Sequence, residues 1–242
     1  ESIIAQNEMV ETAANLEIHL FGAPSFQING QPLSETTSQK VEALFAYLVC
    51  HPYPHLREVL ASLLFNARSR SQANNNLRVL LSRLRRVCED TILINRQTVR
   101  LNPDYQVWLD TAVFKQILPH QPERALKLYK GDFLGALQIQ EAKGFVEWVA
   151  VQREQHRIQA MAALLTLIDK YEACGQLPKA LTYAQQLLTI EPHHEGWHRR
   201  LIQLYLRADQ RQKALAPLET CRQILLEVFG QEPSPITKSL VE

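Results

Sequence analysis

Apolar and polar residues alternate over LEIHLFG and again over FQING, with Ala23 and Pro24 between the two runs and Asn29-Gly30 closing the second. A period of two ending in Asn-Gly reads as hairpin structure, so strands are expected at Leu16 to Phe21 and Ser25 to Ile28, with a third short one near Leu33. The period then lengthens. Val41, Leu44, Phe45 and Leu48 recur at helical spacing between Gln39 and Cys50, where Pro52 and Pro54 end the run. A second short helix, His55 to Phe65, carries Leu56, Val59, Leu60, Leu63 and Leu64. The third, about Ser71 to Val87, sets Leu77, Leu80, Leu81, Leu84 and Val87 along one stripe and Asn75, Arg78, Ser82, Arg85 and Arg86 opposite it. ILIN and TVRLN follow as a second hairpin, with Arg96 near its tip and Arg100 on its return strand. Residues 1 to 15 show no periodicity and read as a loose leader.

From Asp104 onward the alternating signal stops and helices are expected to follow one another. Leu167, Tyr171, Gly175 and Ala180 recur 34 residues later as Leu201, Tyr205, Asp209 and Ala214, and 34 is the tetratricopeptide period. Gly175 and Asp209 fall where inter-helix turns are needed. Pro122 to Leu137, followed by a long helix from Gly144 to Ala173, reads as a degenerate first repeat. Such repeats are scaffolds for protein contacts and seldom catalyse. The expected fold is mainly α with a small β part: an N-terminal winged helix-turn-helix domain over 16–103, then tetratricopeptide-like repeats over 104–242.

Composition agrees with that division. At 242 residues two modest domains are expected, and only 8 glycines with 46% hydrophobic and 21% charged residues suit a helical globular chain. The net charge of +1 conceals an uneven distribution. Six arginines and no acid lie between Asn66 and Cys88; up to Arg100 there are eight arginines against Glu89 and Asp90, a net of +6 that leaves −5 for the remainder. A basic stripe on one helix is the footprint of a phosphate-binding face, and a helix held by its leucines can offer arginines and amides to a major groove while the hairpin tip reaches the flanking backbone.

Other chemistries find little support. His194, Glu195 and His198 spell HExxH, a zinc-hydrolase signature, but Gly196 weakens a helix meant to hold metal and no third ligand follows, so partly exposed helix-start histidines with Trp197 in the core are expected. Tyr47, Tyr129, Tyr171 and Tyr205 are expected to pack beside leucines, and His51 and His55 to cap or cover a turn. GxxxxGK[ST], GxSxG and GxGxxG are absent from the sequence. The four cysteines, Cys50, Cys88, Cys174 and Cys221, are dispersed and read as reduced packing residues. No catalytic residue, cofactor or metal is expected. With neither a membrane span nor a signal peptide in sight the cytoplasm is expected, although a start at Glu1 leaves a longer parent protein open.

NNLRVLLSRLRR at 75–86, LREVLASLLF at 56–65, RLNPDYQVWLD at 100–110, LYKGDFL at 128–134 and FGQEPSPIT at 229–237 together resemble the Streptomyces antibiotic regulatory protein family. The likeness runs in order from about Leu16 to Leu240. It implies an OmpR-type winged helix joined to a bacterial transcriptional activation domain, acting as a sequence-specific activator. Protomers of such proteins bind promoter direct repeats in double-stranded DNA side by side, as a homodimer on DNA, and recruit RNA polymerase. By position the resemblance implies Asn75, Arg78, Ser82, Arg85 and Arg86 as recognition-helix residues, with Asn74 and Arg83 beside them. Arg68 and Arg70 are expected in the loop ahead of that helix, and Arg96 and Arg100 in the wing. The wing turn, Asn95 to Thr98, lacks the glycines usual in that family. The rival reading is a tetratricopeptide adapter, or the regulatory fragment of a larger signalling protein, in which the winged helix docks a protein.

Overall fold

Leu16, Ile18 and Leu20 are fully buried while Glu17 between them is exposed, which is the alternation of a strand with one wet face. The computed structural model describes residues 16–33, 38–66 and 69–241, so the leader expected over 1–15 lies outside the described residues. The chain divides into two compact units, one formed by residues up to 116 together with 130–153, the other by 117–129 together with 154–242.

In chain order the first unit runs β1 (Leu16–His19), β2 (Ser25–Ile28), β3 (Gln31–Pro32), α1 (Gln39–Cys50), β4 (His55–Leu56), α2 (Arg57–Leu64), α3 (Arg70–Cys88), β5 (Ile92–Ile94), β6 (Thr98–Leu101), β7 (Val107–Leu109) and α4 (Asp110–Ile117). Asn29 and Gly30, both at positive φ, make the two-residue turn between β2 and β3. One sheet has the order β3-β2-β1-β7, the other β4-β6-β5. Two strands escape the sequence reading. β7 pairs in parallel with β1, Leu16 opposite Val107 and Ile18 opposite Leu109, so β structure does not stop at Asp104; three residues are too few to show a period. His55 and Leu56, expected in a helix, form β4 and pair with Val99 and Thr98 of the wing, which moves the start of α2 to Arg57.

The core of this unit joins the sheets to the helices: Leu44, Phe45 and Leu48 of α1, Leu60 and Leu64 of α2, and Leu77, Leu81 and Leu84 of α3 pack with Leu16, Ile18 and Val99. Asp110 is buried at the start of α4, where its carboxylate accepts the backbone N–H groups of Leu20, Phe21 and Thr111 at 2.7–3.0 Å. Burial pushes its pKa up, and those amides work against the rise. Asn66, just after α2, is tied at both ends: its N–H donates to Glu141 O at 2.9 Å, and its Oδ1 accepts the Lys143 N–H at 3.0 Å, satisfying one of the free donors that begin a helix.

The second unit contains α5 (Pro122–Leu128), most of α6 (Lys143–Ala173), α7 (Leu177–Ile190), α8 (Glu195–Arg207), α9 (Arg211–Phe229) and α10 (Pro235–Lys238). The 34-residue repeat is visible atom by atom. Gly175 and Asp209 both adopt positive φ, +70° and +56°. Gln176 N–H donates to Tyr171 O at 2.8 Å, and Gln210 N–H to Tyr205 O at 2.9 Å. Ala180 and Ala214, both fully buried, are the small residues of the following helices. Among the described residues no helix is long and apolar enough to cross a membrane.

Candidate nucleic-acid interface

The nineteen-residue helix α3 buries Ala73, Leu77, Leu80, Leu81, Leu84 and Cys88, so its leucines anchor it as their spacing predicts. Asn75, Arg78, Ser82, Arg83, Arg85 and Arg86 are exposed, and Asn74 is half-buried at the edge of the packed face. Arg70 is the first helical residue, not a loop residue, and its guanidinium is paired with Glu58 of α2. Arg68 lies outside the described residues.

Four of the expected residues converge. Arg78, Ser82, Arg85 and Arg86 line a shallow groove of about 400 Å³ together with Arg57 and Ile94. Ile94 belongs to the wing, so the groove runs between the helix and the hairpin. Arg96 is exposed in the wing turn, and Arg100 is half-buried on β6 opposite Leu93. The turn needs no glycine because Asn95 organises it. Its Oδ1 accepts the N–H groups of Gln97 and Thr98 at 2.8 and 2.6 Å, its Nδ2 donates to Thr98 Oγ1 at 2.8 Å, and its own N–H closes the hairpin on Thr98 O at 3.0 Å.

Two residues of this surface escape the sequence reading. Arg57 N–H donates to Gln97 O at 2.9 Å and its Nη1 reaches Asn95 O at 3.4 Å, so the residue that opens α2 is joined to the wing and presents its guanidinium to the groove. The signal is faint, because it depends on β4 pairing with β6 across more than forty residues. Val79 is 54% exposed between Asn75 and Arg83, an apolar residue amid the polar face. Its helix position does betray it, since it falls on the arginine side and not in the leucine stripe.

The HExxH residues are engaged elsewhere. Glu195 accepts the Ser234 N–H at 3.1 Å, the Ser234 hydroxyl at 2.5 Å and the Thr237 hydroxyl, and pairs with Arg199 at 3.2 Å. His194 stacks on Trp197 with ring centroids 4.2 Å apart, and Gly196 permits this because a Cβ there would lie 2.8 Å from the His194 ring. His198 is buried and not partly exposed as expected; its Nε2 bonds Pro192 O at 2.8 Å. Among the described residues no group of three or more His, Cys, Asp or Glu is placed to hold a metal ion. His51 Nδ1 caps Tyr47 O at 3.0 Å, while His55 is buried in β4 with its Nε2 on His51 O. Burial pushes the Cys50 and Cys88 thiols up to about 12 and Cys221 to about 11, so these three are packing groups, whereas Cys174 is exposed, contrary to expectation.

The bacterial transcriptional activator domain family matches residues 119–242. Among curated proteins none matches the chain significantly. The fold is similar to that of Mycobacterium tuberculosis EmbR, solved in complex with a low-affinity phosphopeptide, with a TM-score of 0.59 and 20% identity over 94% of this chain. This chain spans 64% of the length of that one. With the family's domain over more than half of its length, the chain belongs to the bacterial transcriptional activator domain family.

Proposed function

We propose that the chain is a sequence-specific DNA-binding transcriptional activator. In this reading α3 enters the major groove of promoter DNA, the β5–β6 hairpin lies along the flanking backbone, and the helical repeats meet a neighbouring protomer or RNA polymerase. The domain division read from the sequence, DNA binding over 16–103 and activation over 104–242, belongs to the same proposal, as does action in the cytoplasm where promoters are found. One observation carries it: Arg57, Arg78, Arg85 and Arg86 line a common groove beside the wing, and among the described residues the ion pair formed in this region engages Arg70 and Glu58 instead. Uncompensated guanidiniums around an exposed serine suit phosphate neutralisation and base-edge hydrogen bonding together. Val79, near the middle of the same face, adds methyl groups that fit against a thymine methyl.

In vitro selection of duplex DNA by the full chain tests the reading. A recovered consensus with a defined half-site spacing supports it and gives the protomer arrangement. No enrichment, together with no salt-dependent retention on heparin, transfers the winged helix to the adapter reading, in which it docks protein.

A further inference from the structure

Basic side chains leave α3 on two sides, and the groove beside the wing accounts for one of them. At about 100° per residue, Arg83 lies about 140° around the helix from Arg78 and about 160° from Arg85, with Asn75, Val79, Ser82 and Arg86 in the arc between. A second groove, of about 440 Å³, opens on the Arg83 side. Its lining includes Asn76, Val79 and Arg83 of α3, Phe65 after α2, and Gln39 and Lys40 in the first turn of α1. The Lys40 ammonium stands 4.8 Å from the centroid of the Phe65 ring, a cation–π contact that holds the charge at the groove wall. Among the described residues the ion pair formed in this region is Arg70 with Glu58, and neither Lys40 nor Arg83 shares in it.

We propose that Lys40 and Arg83 form a second phosphate-binding flank, which takes the backbone of the DNA strand opposite the one met by Arg57, Arg78 and Arg85. This rests on α3 being the DNA-reading helix. The major groove of B-DNA is about 12 Å wide and a helix with its side chains is about 10–12 Å across, so a helix that enters the groove fills it. Side chains some 140° apart on such a helix meet opposite walls, and each wall is a phosphodiester strand. A single strand or an acidic peptide offers one line of negative charge and satisfies one flank. Two cationic flanks with an amide, serine and valine strip between them match two lines of charge with base edges in between.

The test uses the full chain, wild type and with Lys40→Gln or Arg57→Ala, on a duplex recovered by selection. Glutamine keeps a side-chain stem over Phe65 and removes the charge. Binding is measured against salt, and again with neutral methylphosphonates placed singly on one strand or the other. Each variant is expected to lower the slope of log K against log salt by about 0.9, and the two together by about 1.8. Lys40→Gln is expected to stop responding to methylphosphonates on one strand, and Arg57→Ala on the other; should Arg57→Ala fail to fold, Arg78→Ala replaces it. An unchanged slope for Lys40→Gln, or loss of response on the same strand in both variants, overturns the second flank and leaves α3 as the reading helix. Absence of salt-dependent binding to any duplex by the wild type overturns the flank and the DNA-binding reading together.

Discussion

Arg78, Arg83, Arg85 and Arg86 of α3 and Arg199, Arg200, Arg207 and Arg222 of α8 and α9 are the same side chain on the outer faces of helices, and they differ in what stands opposite them. In the second unit each of these four guanidiniums meets a carboxylate. Arg200 pairs with Asp169 at 2.7 Å and with Glu172, Arg207 also pairs with Glu172, Arg199 with Glu195, and Arg222 with Glu232 at 3.0 Å. Three of these pairs tie α6 to α8, so they hold the repeat scaffold together. In α3 the sequence supplies no acid between Asn66 and Cys88, and among the described residues Arg78, Arg83, Arg85 and Arg86 are exposed with no ion pair. Arginine number therefore says little about an interface; the local supply of acids decides whether the charge is spent within the fold or kept for a partner.

The largest expected effect is on the paired side. Glu172 is 9% exposed and serves two guanidiniums at once. Glu172→Ala leaves Arg200 with Asp169 alone and removes the partner of Arg207. Losing one member of a buried pair costs about 3–5 kcal/mol, and because Arg207 reaches water a loss of about 2–3 kcal/mol is expected here. Urea unfolding of the full chain measures it, with DNA affinity unchanged. A loss under about 0.5 kcal/mol would make these pairs surface ornaments and dissolve the contrast with α3.

Next comes the unpaired side, where the expected effects exchange places. Arg78→Ala or Arg85→Ala should weaken binding to the selected duplex by about 1–3 kcal/mol if the side chain reads a base, or lower the salt slope by about 0.9 if it only neutralises phosphate. Stability should move by less than about 0.5 kcal/mol, since neither side chain packs in the core. Promoter affinity unchanged in both variants removes the helix from the interface.

How far the sequence foretold this surface follows from the range of the interactions involved. The leucine stripe of α3 and the Gly175 and Asp209 turns were legible because each is set within a few residues of chain, by a 3.6 period in one case and a 34-residue recurrence in the other. Arg57 was not legible, because its place beside the wing depends on a two-residue strand pairing with β6. β7 was missed for the same reason: a three-residue strand is stabilised by β1, ninety residues earlier, and not by its own pattern. Lys40 carries no signal in the sequence, because only the packing of α1 beside α2 and α3 brings it to the Phe65 ring and the Arg83 groove. The HExxH spacing misleads because the carboxylate between the histidines turns toward Ser234 and Thr237, a segment some forty residues away.

That carboxylate gives the paired unit a pH signature. Burial alone would raise the Glu195 pKa, but the hydroxyls of Ser234 and Thr237, the Ser234 amide and the Arg199 guanidinium together hold it at about 2, against an ordinary 4.5. A carboxyl depressed in the folded state binds protons more readily when unfolded, so its contribution is complete above about pH 4.5 and is lost as the pH falls toward 2. Water reaches this site and screens it, so the loss amounts to about 1 kcal/mol. The thermal midpoint of the wild type should fall more steeply over that interval than that of Glu195→Gln; parallel curves would show that the C-terminal segment is not held by this charge.

The smallest effect belongs to the arginine that crosses the comparison. Arg70 lies in the acid-poor segment with the α3 arginines, yet it has a carboxylate partner in Glu58, and both side chains are more than half exposed. An exposed pair of this kind contributes about 0–1 kcal/mol to stability, so Arg70→Ala should leave the unfolding midpoint nearly unchanged. Its effect on DNA is the sharper question. If a neighbouring acid neutralises an arginine for binding, Arg70→Ala alters the salt slope less than Arg78→Ala does, and Glu58→Gln releases the guanidinium and steepens the slope by up to about 0.9. If Arg70 exchanges Glu58 for a phosphate at no cost, Arg70→Ala and Arg78→Ala lower the slope alike and Glu58→Gln does nothing to it. The second outcome would mean that on an exposed helix start a single carboxylate is too weakly held to compete with DNA, and that only partly buried acids such as Glu172 commit an arginine to the fold.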